Sequence, residues 1–302
     1  MIKLIRKFIY YSRIWQFLKY KGFQNDAKYI KKQYYSRFGK NLNLENPKGF
    51  NEKNNWRKVN ERNPLYTSMV DKYKLKKIVE DYLGEGYTIP LLGVWKKPDE
   101  IPFTDLPNQF VLKANHAGGV IICRDKISFD INSAKKELNN ILKLDYYLPS
   151  REWPYRNVDR RIIAERYVGE NLIDYKNYCF NGQLIYTFVW KNKSRKDGRK
   201  PEATFLGAYD RDWRRTNLRI NYPSSDELIN KPNCYAEMVH VAETMSKNIP
   251  FVRVDCYIIN NKVYVGEMTF FPWGGYQKFC DDTWDLKLGN MIELNQVNYS
   301  ED

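Results

Sequence analysis

Apolar positions recur along the chain with two periods, which separate helical segments from extended ones. A period near 3.6 predicts helices over five segments: 26–39, 51–62, 68–83, 132–143 and about 233–247. Runs rich in β-branched and aromatic residues predict strands over 88–95, 110–115, 120–123, 161–168, 174–191, 252–259 and 262–271. Helices come first, and helices and strands mix afterwards. The pattern therefore predicts a helical N-terminal region followed by two α+β lobes.

Turn signals subdivide the extended segments. Asn181-Gly182 interrupts the run 174–191 and predicts a hairpin there, since Asn-Gly suits the tight turns that join antiparallel strands. Asn260-Asn261 lies in the same way between the last two strands, and Gly118-Gly119 separates the strands 110–115 and 120–123. The polar and basic stretch 192–202 is predicted to be a mobile loop.

The composition supports a folded core and excludes several kinds of site. The 302 residues are 43% hydrophobic and 28% charged, which predicts two domains or one elaborated domain rather than a disordered chain. The five cysteines form no CxxC pair and are too few for a disulfide scaffold. Two histidines, His116 and His240, leave little material for a histidine-ligated metal or a Ser–His–Asp site.

Positive charge is concentrated at the N-terminus. The whole chain carries +14, but residues 1–40 hold eleven Lys or Arg and one acid, Asp26. This arm alone therefore carries +10, and the remaining 262 residues are nearly neutral. A basic arm on a neutral domain differs from the evenly basic surface that is typical of nucleic-acid binding, so we expect no nucleic-acid partner.

The arm also has an apolar stripe at helical spacing, formed by Leu4, Phe8, Tyr11, Trp15 and Leu18. One interpretation is a surface helix docked on its own domain with solvated lysines. The other is a helix on an anionic membrane, where each basic residue contributes about 1 kcal/mol. The sequence shows neither a cleavable signal nor an apolar run long enough to span a membrane. We expect a cytoplasmic location, peripheral at the inner membrane face if the arm binds lipid.

The sharpest chemical signal lies in the last predicted hairpin. Arg253 and Asp255 share one strand face, and Glu267 and Thr269 share a face of the next strand. Facing carboxylates on adjacent strands repel unless a cation lies between them, and Mg²⁺ with oxygen ligands is the simplest such cation. A two-residue turn would pair Asp255 with Gly266. Pairing Asp255 with Glu267 requires a three-residue loop (260–262) or a bulge.

A second signal is Lys113, which ends a buried strand six residues before Gly119. Such a lysine can place its ammonium on a phosphate while the glycine turn covers it with backbone N–H groups. An ordinary strand end is the competing interpretation, since the spacing matches no phosphate-binding motif.

Together these segments resemble one family. The stretches FNEKNNWRKVNERNPLYTSMVDKYKLKKIV, YTIPLLGVW, FVLKANHAGG, REWPYRN, RIIAERYVGENLIDYKNYCFNG and FVRVDCYIINNKVYVGEMTFFPWGG are similar in order and content to the TupA-like (teichuronopeptide biosynthesis) branch of the ATP-grasp superfamily. The resemblance covers roughly residues 48–290. It implies an α+β ATP-grasp fold, in which two lobes grip ATP.

The resemblance implies a domain plan in four segments. A basic amphipathic arm (1–47) precedes an N-terminal helical and αβ region (48–108). The small lobe with the glycine loop (109–170) and the C-terminal lobe with the Mg²⁺ site (171–302) follow.

The resemblance also implies roles for individual residues. Lys72 and Lys113 match the lysines that hold the ATP phosphates, and Arg253 matches the arginine that stabilises the transferring phosphoryl group. The other residues of the implied nucleotide site are Asn115, His116, Gly118 and Gly119 of the glycine loop, Glu165 and Tyr167 at the adenine hinge, Asp174 near the ribose, and Lys176. His116 either contacts phosphate or merely packs.

The implied magnesium ligands are Asp255, Glu267 and Thr269. Thr269 stands where asparagine is usual in the superfamily. A hydroxyl is a weaker ligand than an amide oxygen, which puts a third direct contact in doubt.

The implied reaction is ligation of a carboxylate to an amine, with ATP and Mg²⁺ as cofactors and an acyl phosphate as intermediate. The implied partners are an acidic sugar or lipid-linked glycan of a bacterial capsule or cell wall, and an amino acid or amine. Trp153, Tyr155, Trp190, Trp213 and Trp273 are candidate sugar platforms or core residues. Alternatives are a sugar kinase of the same fold, a non-catalytic glycan- or membrane-binding module, and a glycosyltransferase. The glycosyltransferase would take its metal motif from Asp281-Asp282 or from DRD at 210–212.

Overall fold

The computed structural model describes residues 25–170, 172–193 and 202–294. Over these ranges the helices are α1 (Asp26–Phe38), α2 (Phe50–Asn60), α3 (Leu65–Val70), α4 (Lys74–Leu83), α5 (Ile131–Leu142), α6 (Tyr147–Ser150), α7 (Tyr235–Ser246) and α8 (Thr283–Asn290). The strands are β1 (Leu91–Trp95), β2 (Phe110–Ala114), β3 (Val120–Cys123), β4 (Ile162–Arg166), β5 (Ile173–Phe180), β6 (Gln183–Lys193), β7 (Glu202–Asp210), β8 (Phe251–Ile259) and β9 (Lys262–Thr269).

The strands form two antiparallel sheets, and each supports one lobe. The first sheet has the order β1-β4-β2-β3 and packs its apolar face on α5, where Leu112 and Ile162 meet Leu138. Its strand β1 comes from the segment 48–108, which the sequence assigned to the region before the small lobe. The second sheet has the order β7-β6-β5-β8-β9 and is covered on one face by α3, α4 and α7. The α+β class expected from the sequence is thus observed.

The other face of the second sheet changes character along its strands. At one end it is apolar, where Tyr178, Phe180 and Phe251 pack against Phe50 of α2 and against α8. Toward the other end of β5 and β8 the same alternation places charged residues on this face, including Asp174 opposite Tyr257. Every second residue of a strand points to the same face of the sheet. The charged patch and the apolar patch therefore form one continuous surface.

A bulge at Gly266 sets the register of the last hairpin. Asn260 and Asn261 form a two-residue turn with positive φ, and Ile259 pairs with Lys262 beside it. Asp255 nevertheless pairs with Glu267, because Gly266 is an extra residue on β9 without a partner on β8. Of the two alternatives that the sequence left open, the bulge is the one the structure shows.

The helix predicted over 68–83 is wrong, because two helices occupy this region. The Asp71 carboxylate accepts hydrogen bonds from the backbone N–H groups of Tyr73 and Lys74, which starts α4 afresh. Between the helices, the backbone N–H of Lys72 donates to the Asn115 carbonyl at 3.0 Å. The break takes Lys72 out of the helix and ties it to the first lobe.

Helix α1 docks on the chain's own domain. Its buried residues are Tyr29, Ile30 and Tyr34. Ile30 and Tyr34 form a cluster with Leu42 and Tyr276. The helix predicted over 26–39 is therefore observed, and it packs on the domain. The stripe from Leu4 to Leu18 lies outside the described residues. No helix in the described ranges is long and apolar enough to cross a membrane.

Strand β7 was missed by the sequence analysis, which predicted a loop over 192–202. Strand β6 extends to Lys193 and β7 begins at Glu202, while 194–201 lie outside the described residues. The apolar pattern of β7 is confined to Phe205–Tyr209. Glycine and basic residues around this hairpin obscure that pattern in the sequence. The other predicted helices and hairpins are observed, with ends shifted by a few residues.

Candidate active site

A lysine from the linker between α3 and α4 reaches the end of β9. The Lys72 ammonium lies 3.1 Å from the Glu267 carboxylate, while the backbone of Lys72 is bonded to Asn115 beside the first sheet. Burial raises the pKa of Glu267, but Lys72 and Arg253 outweigh it and lower the pKa to about 2. Lys72 therefore links the two lobes at the carboxylate that the sequence singled out.

Two further lysines share one buried carboxylate at the first sheet. Lys113 on β2 and Lys76 on α4 each lie 2.6 Å from a different oxygen of Glu165 on β4. Burial raises the pKa of Glu165, but the two ammonium groups outweigh it and lower the pKa to about 2. Sequence reasoning missed Lys76. The helix predicted over 68–83 would have placed it one turn beyond Lys72 on the same side.

The charged face of the second sheet holds a tight alternation of acids and bases. Arg253 donates two hydrogen bonds to Asp255, at 2.6 and 2.7 Å, and one to the Thr269 hydroxyl at 3.0 Å. Lys176 on β5 bridges Asp255 at 2.9 Å and Asp174 at 2.7 Å. Burial lowers the pKa of Lys176, but the two aspartates outweigh it and raise it.

Asp174 and Tyr257 sit at the inner end of this face. One oxygen of Asp174, Oδ1, is buried and has no hydrogen-bond partner among the described residues. The Tyr257 ring covers Gly266, since a Cβ there would lie 2.5 Å from its Cε2. Asp174 and burial raise the pKa of the Tyr257 hydroxyl. The orphaned oxygen can accept a hydrogen bond from a ligand hydroxyl.

The carboxylates of Asp255 and Glu267 fit a magnesium ion that is also held by phosphate. In the described ranges, no three His, Cys, Asp or Glu side chains form a metal cluster. Two carboxylates with phosphate and water oxygens are a common magnesium shell. Repulsion between the two carboxylates does not by itself require a metal, because Arg253 and Lys72 already neutralise the pair.

The glycine loop is fastened at its base. Asn115 is fully buried, accepts from the Arg161 N–H and donates to the Asp159 carbonyl. His116 is 2% exposed, its Nε2 lies 3.2 Å from the Leu144 carbonyl, and burial lowers its pKa to about 4. This geometry favours the packing role for His116. Gly118 donates its N–H to the Tyr146 hydroxyl, and Gly119 has a φ of 110° that side chains rarely adopt.

The remaining candidates divide by burial. Tyr167 follows β4 and interacts with Glu170 and Arg124. Among the tryptophans proposed as sugar platforms, Trp153, Trp190 and Trp213 are buried, whereas Trp273 is 49% exposed. Trp273 has a φ of 56° and lies four residues beyond Thr269. A bulky, exposed residue held in that conformation points to a functional constraint.

The two α+β lobes and the lysine–carboxylate cleft between them fit the class of ATP-grasp proteins. The TupA-like ATPgrasp family matches residues 52–293, and the chain therefore belongs to that family. The family and fold predicted from the sequence are confirmed. No curated protein matches the chain.

Solved structures similar to the chain include several ligases and synthetases. D-alanine–D-alanine ligase from Bacillus anthracis, complexed with ATP, is 15% identical over 67% of this chain and 54% of that chain, with a TM-score of 0.38. L-amino acid ligase from Bacillus licheniformis is 12% identical over 82% of this chain and 55% of that chain, with a TM-score of 0.47. The chain spans about half the length of these proteins.

Proposed function

We propose that this chain is an ATP- and Mg²⁺-dependent ligase that joins a carboxylate to an amine through an acyl phosphate. The observation that carries the proposal is the cleft itself, where Lys72, Lys76, Lys113, Lys176 and Arg253 interleave with Glu165, Asp174, Asp255 and Glu267. Five positively charged side chains from both lobes are concentrated at one place. Such a concentration of positive charge favours the binding of a polyphosphate.

In the proposed first step, a carboxylate oxygen bonds to the γ-phosphorus of ATP and the bond to the β-phosphate oxygen breaks. Lys72 and Lys113 exchange their carboxylate partners for phosphate oxygens, and Arg253 stabilises the transferring phosphoryl group. Phosphoryl transfer needs positioning and charge neutralisation more than covalent help. In the second step the amine nitrogen bonds to the acyl carbon, phosphate leaves, and the nitrogen loses a proton.

A bound Mg²⁺ would supply charge neutralisation at the phosphates, held by Asp255 and Glu267. Thr269 would contribute less, because its hydroxyl accepts a hydrogen bond from Arg253. Lys176 and Arg253 keep Asp255 oriented toward the cleft.

The proposed pathway is synthesis of a bacterial surface polysaccharide, with a uronic acid as the carboxylate and an amino acid or amine as the nucleophile. This part rests on the family. The exposed Trp273, with Tyr222 at a ring-centroid distance of 5.6 Å, supports a sugar platform. The proposed site of action is the cytoplasmic face of the membrane, with the basic arm 1–40 as the contact.

The structure gives the glycosyltransferase alternative little support. Asp210 accepts hydrogen bonds from the backbone N–H groups of Asp212 and Arg214, so it closes a turn after β7. Asp281 accepts from the Thr283 N–H at the start of α8. Both acidic motifs thus have local structural roles, and neither adjoins the cleft cluster.

The test is ADP release from Mg-ATP with glucuronate or galacturonate and a mixture of amino acids. Asp255→Asn combined with Glu267→Gln should reduce turnover by at least the order of 10²–10³ seen when one charge-stabilising group is lost. Glu80→Gln, on the outer side of α4, is the matched control and should leave turnover unchanged. Unchanged turnover in the double variant refutes the proposal, and a phosphorylated sugar in place of an amide identifies a kinase.

A further inference from the structure

One buried carboxylate near the cleft has no assigned role. Glu152 is 8% exposed and follows directly on Ser150 and Arg151 at the end of α6. The carboxylates of Glu165, Asp174 and Asp255 each form an ion pair with a lysine. Glu152 forms no ion pair with any Lys, Arg or His in the described part of the chain. Its hydrogen-bond neighbour is the Ser150 hydroxyl, and Lys58 is the cation that acts on it most strongly. Burying a carboxylate without a close counter-charge is costly.

Glu152 lies near the turn that follows β9. Its Oε1 lies 3.7 Å from where a Cβ on Gly274 would be, in the turn Pro272–Gly275 that follows β9. Its electrostatic neighbours after Lys58 include Glu267 and Arg253, and those two residues also act on the Tyr155 hydroxyl. The carboxylate therefore lies beside the residues proposed to hold the transferring phosphoryl group.

The wall that carries Glu152 is built to be rigid. Lys58, fully buried, donates to the Ser150 carbonyl at 2.9 Å and to the Gly274 carbonyl at 2.6 Å. It thereby fastens the Glu152 segment to the turn after β9. Arg151 continues this anchoring through its ion pair with Asp26 of α1 at 3.1 Å. Burial raises the pKa of Glu152, and the Lys58 ammonium opposes this effect.

We propose that Glu152 receives the amino group of the incoming amine and positions it for attack, with Tyr155 closing the same subsite. This inference rests on the proposed ligase function. The acyl group is held from the side of Arg253 and Lys72, where cations predominate. The Glu152 carboxylate adds a negative charge next to these cations. It attracts the amine and repels a second anionic group, so the two substrates are sorted by charge.

The experiment separates the two half-reactions in Glu152→Gln. With Mg-ATP and glucuronate alone, acyl-phosphate formation is followed by ADP release and by trapping with hydroxylamine at high concentration. We expect this half-reaction to stay within about threefold of the wild type, while kcat/KM for the amino acid falls on the order of 10²-fold. Glu152→Asp, which keeps the charge, should recover part of that loss.

Stability provides the control for a purely structural role. If Glu152 only balanced Lys58, Glu152→Gln would leave Lys58 buried without a counter-charge and would lower the melting temperature by several degrees. We expect no such decrease. An equal loss in both half-reactions, or an unchanged kcat/KM for the amine, overturns the assignment. If the wild type yields a phosphorylated sugar and no amide, the ligase function itself fails, and the amine subsite fails with it.

Discussion

The shared carboxylate of Glu165 offers a quantitative test of the cleft electrostatics. Its pKa falls from the ordinary 4.5 to about 2 because Lys113 and Lys76 outweigh the effect of burial. At roughly 1.4 kcal/mol for each pKa unit, this difference corresponds to about 3 kcal/mol of folding stability. Glu165→Gln keeps the shape of the side chain and removes the charge, so we expect a loss of about that size at pH 7.

The sign of the pH dependence follows from the lowered pKa. A carboxyl group with a folded pKa below its unfolded value contributes its full stabilisation above pH 4.5. That contribution is lost as the pH falls toward 2, and about half remains near pH 3. The difference in unfolding free energy between wild type and Glu165→Gln should therefore be constant from pH 7 to 5 and shrink below pH 4.5.

Urea unfolding followed by tryptophan fluorescence, at several pH values, measures this difference. The control is Glu80→Gln on the outer side of α4, where the carboxylate forms an exposed pair with Lys77 and where we expect little change. A loss below about 1 kcal/mol at pH 7, or a loss that does not shrink in acid, would show that the two lysines do not depend on Glu165 for their counter-charge.

Two further predictions concern β9 and the turn after it. Gly266→Ala should cost roughly 1–3 kcal/mol of unfolding free energy, because the new Cβ would lie 2.5 Å from the Tyr257 ring. In a Tyr257→Ala background that cost should largely disappear, and strict additivity in the double-mutant cycle would contradict the contact. Trp273→Ala, at a side chain that is 49% exposed, should raise KM for a glycan substrate about tenfold with kcat nearly unchanged. An unaltered KM would argue against a sugar platform there.

The local pattern determined the elements around the site. Alternation along 252–259 and 262–271, with a turn at Asn260-Asn261, was enough to place Arg253 and Asp255 on one strand face. The order of the motifs was enough to predict the family and the α+β fold. Strand alternation and turns depend on residues close in sequence, where spacing alone fixes direction, whereas the family came from a resemblance over roughly residues 48–290.

Contacts between distant segments were decided by the tertiary structure. The Tyr257 ring packs over the bulge at Gly266 and leaves no room for a side chain there, and the break at Asp71 lets Lys72 bond to Asn115. Neither can be derived from local periodicity, since a 3.6-residue pattern continues through 68–83.

Burial likewise separated side chains that the sequence treated alike. Trp273 is exposed while Trp153, Trp190 and Trp213 are in the core, and His116 packs against a carbonyl within a loop expected to hold phosphate. Glu152 is an ordinary acid in the sequence. It becomes a candidate for the active site only because folding buries it without an ion pair, near Arg253 and Glu267. The sequence determined which groups the chain carries and how they alternate, whereas packing decided their surroundings, because solvation and charge pairing depend on every segment that meets at the site.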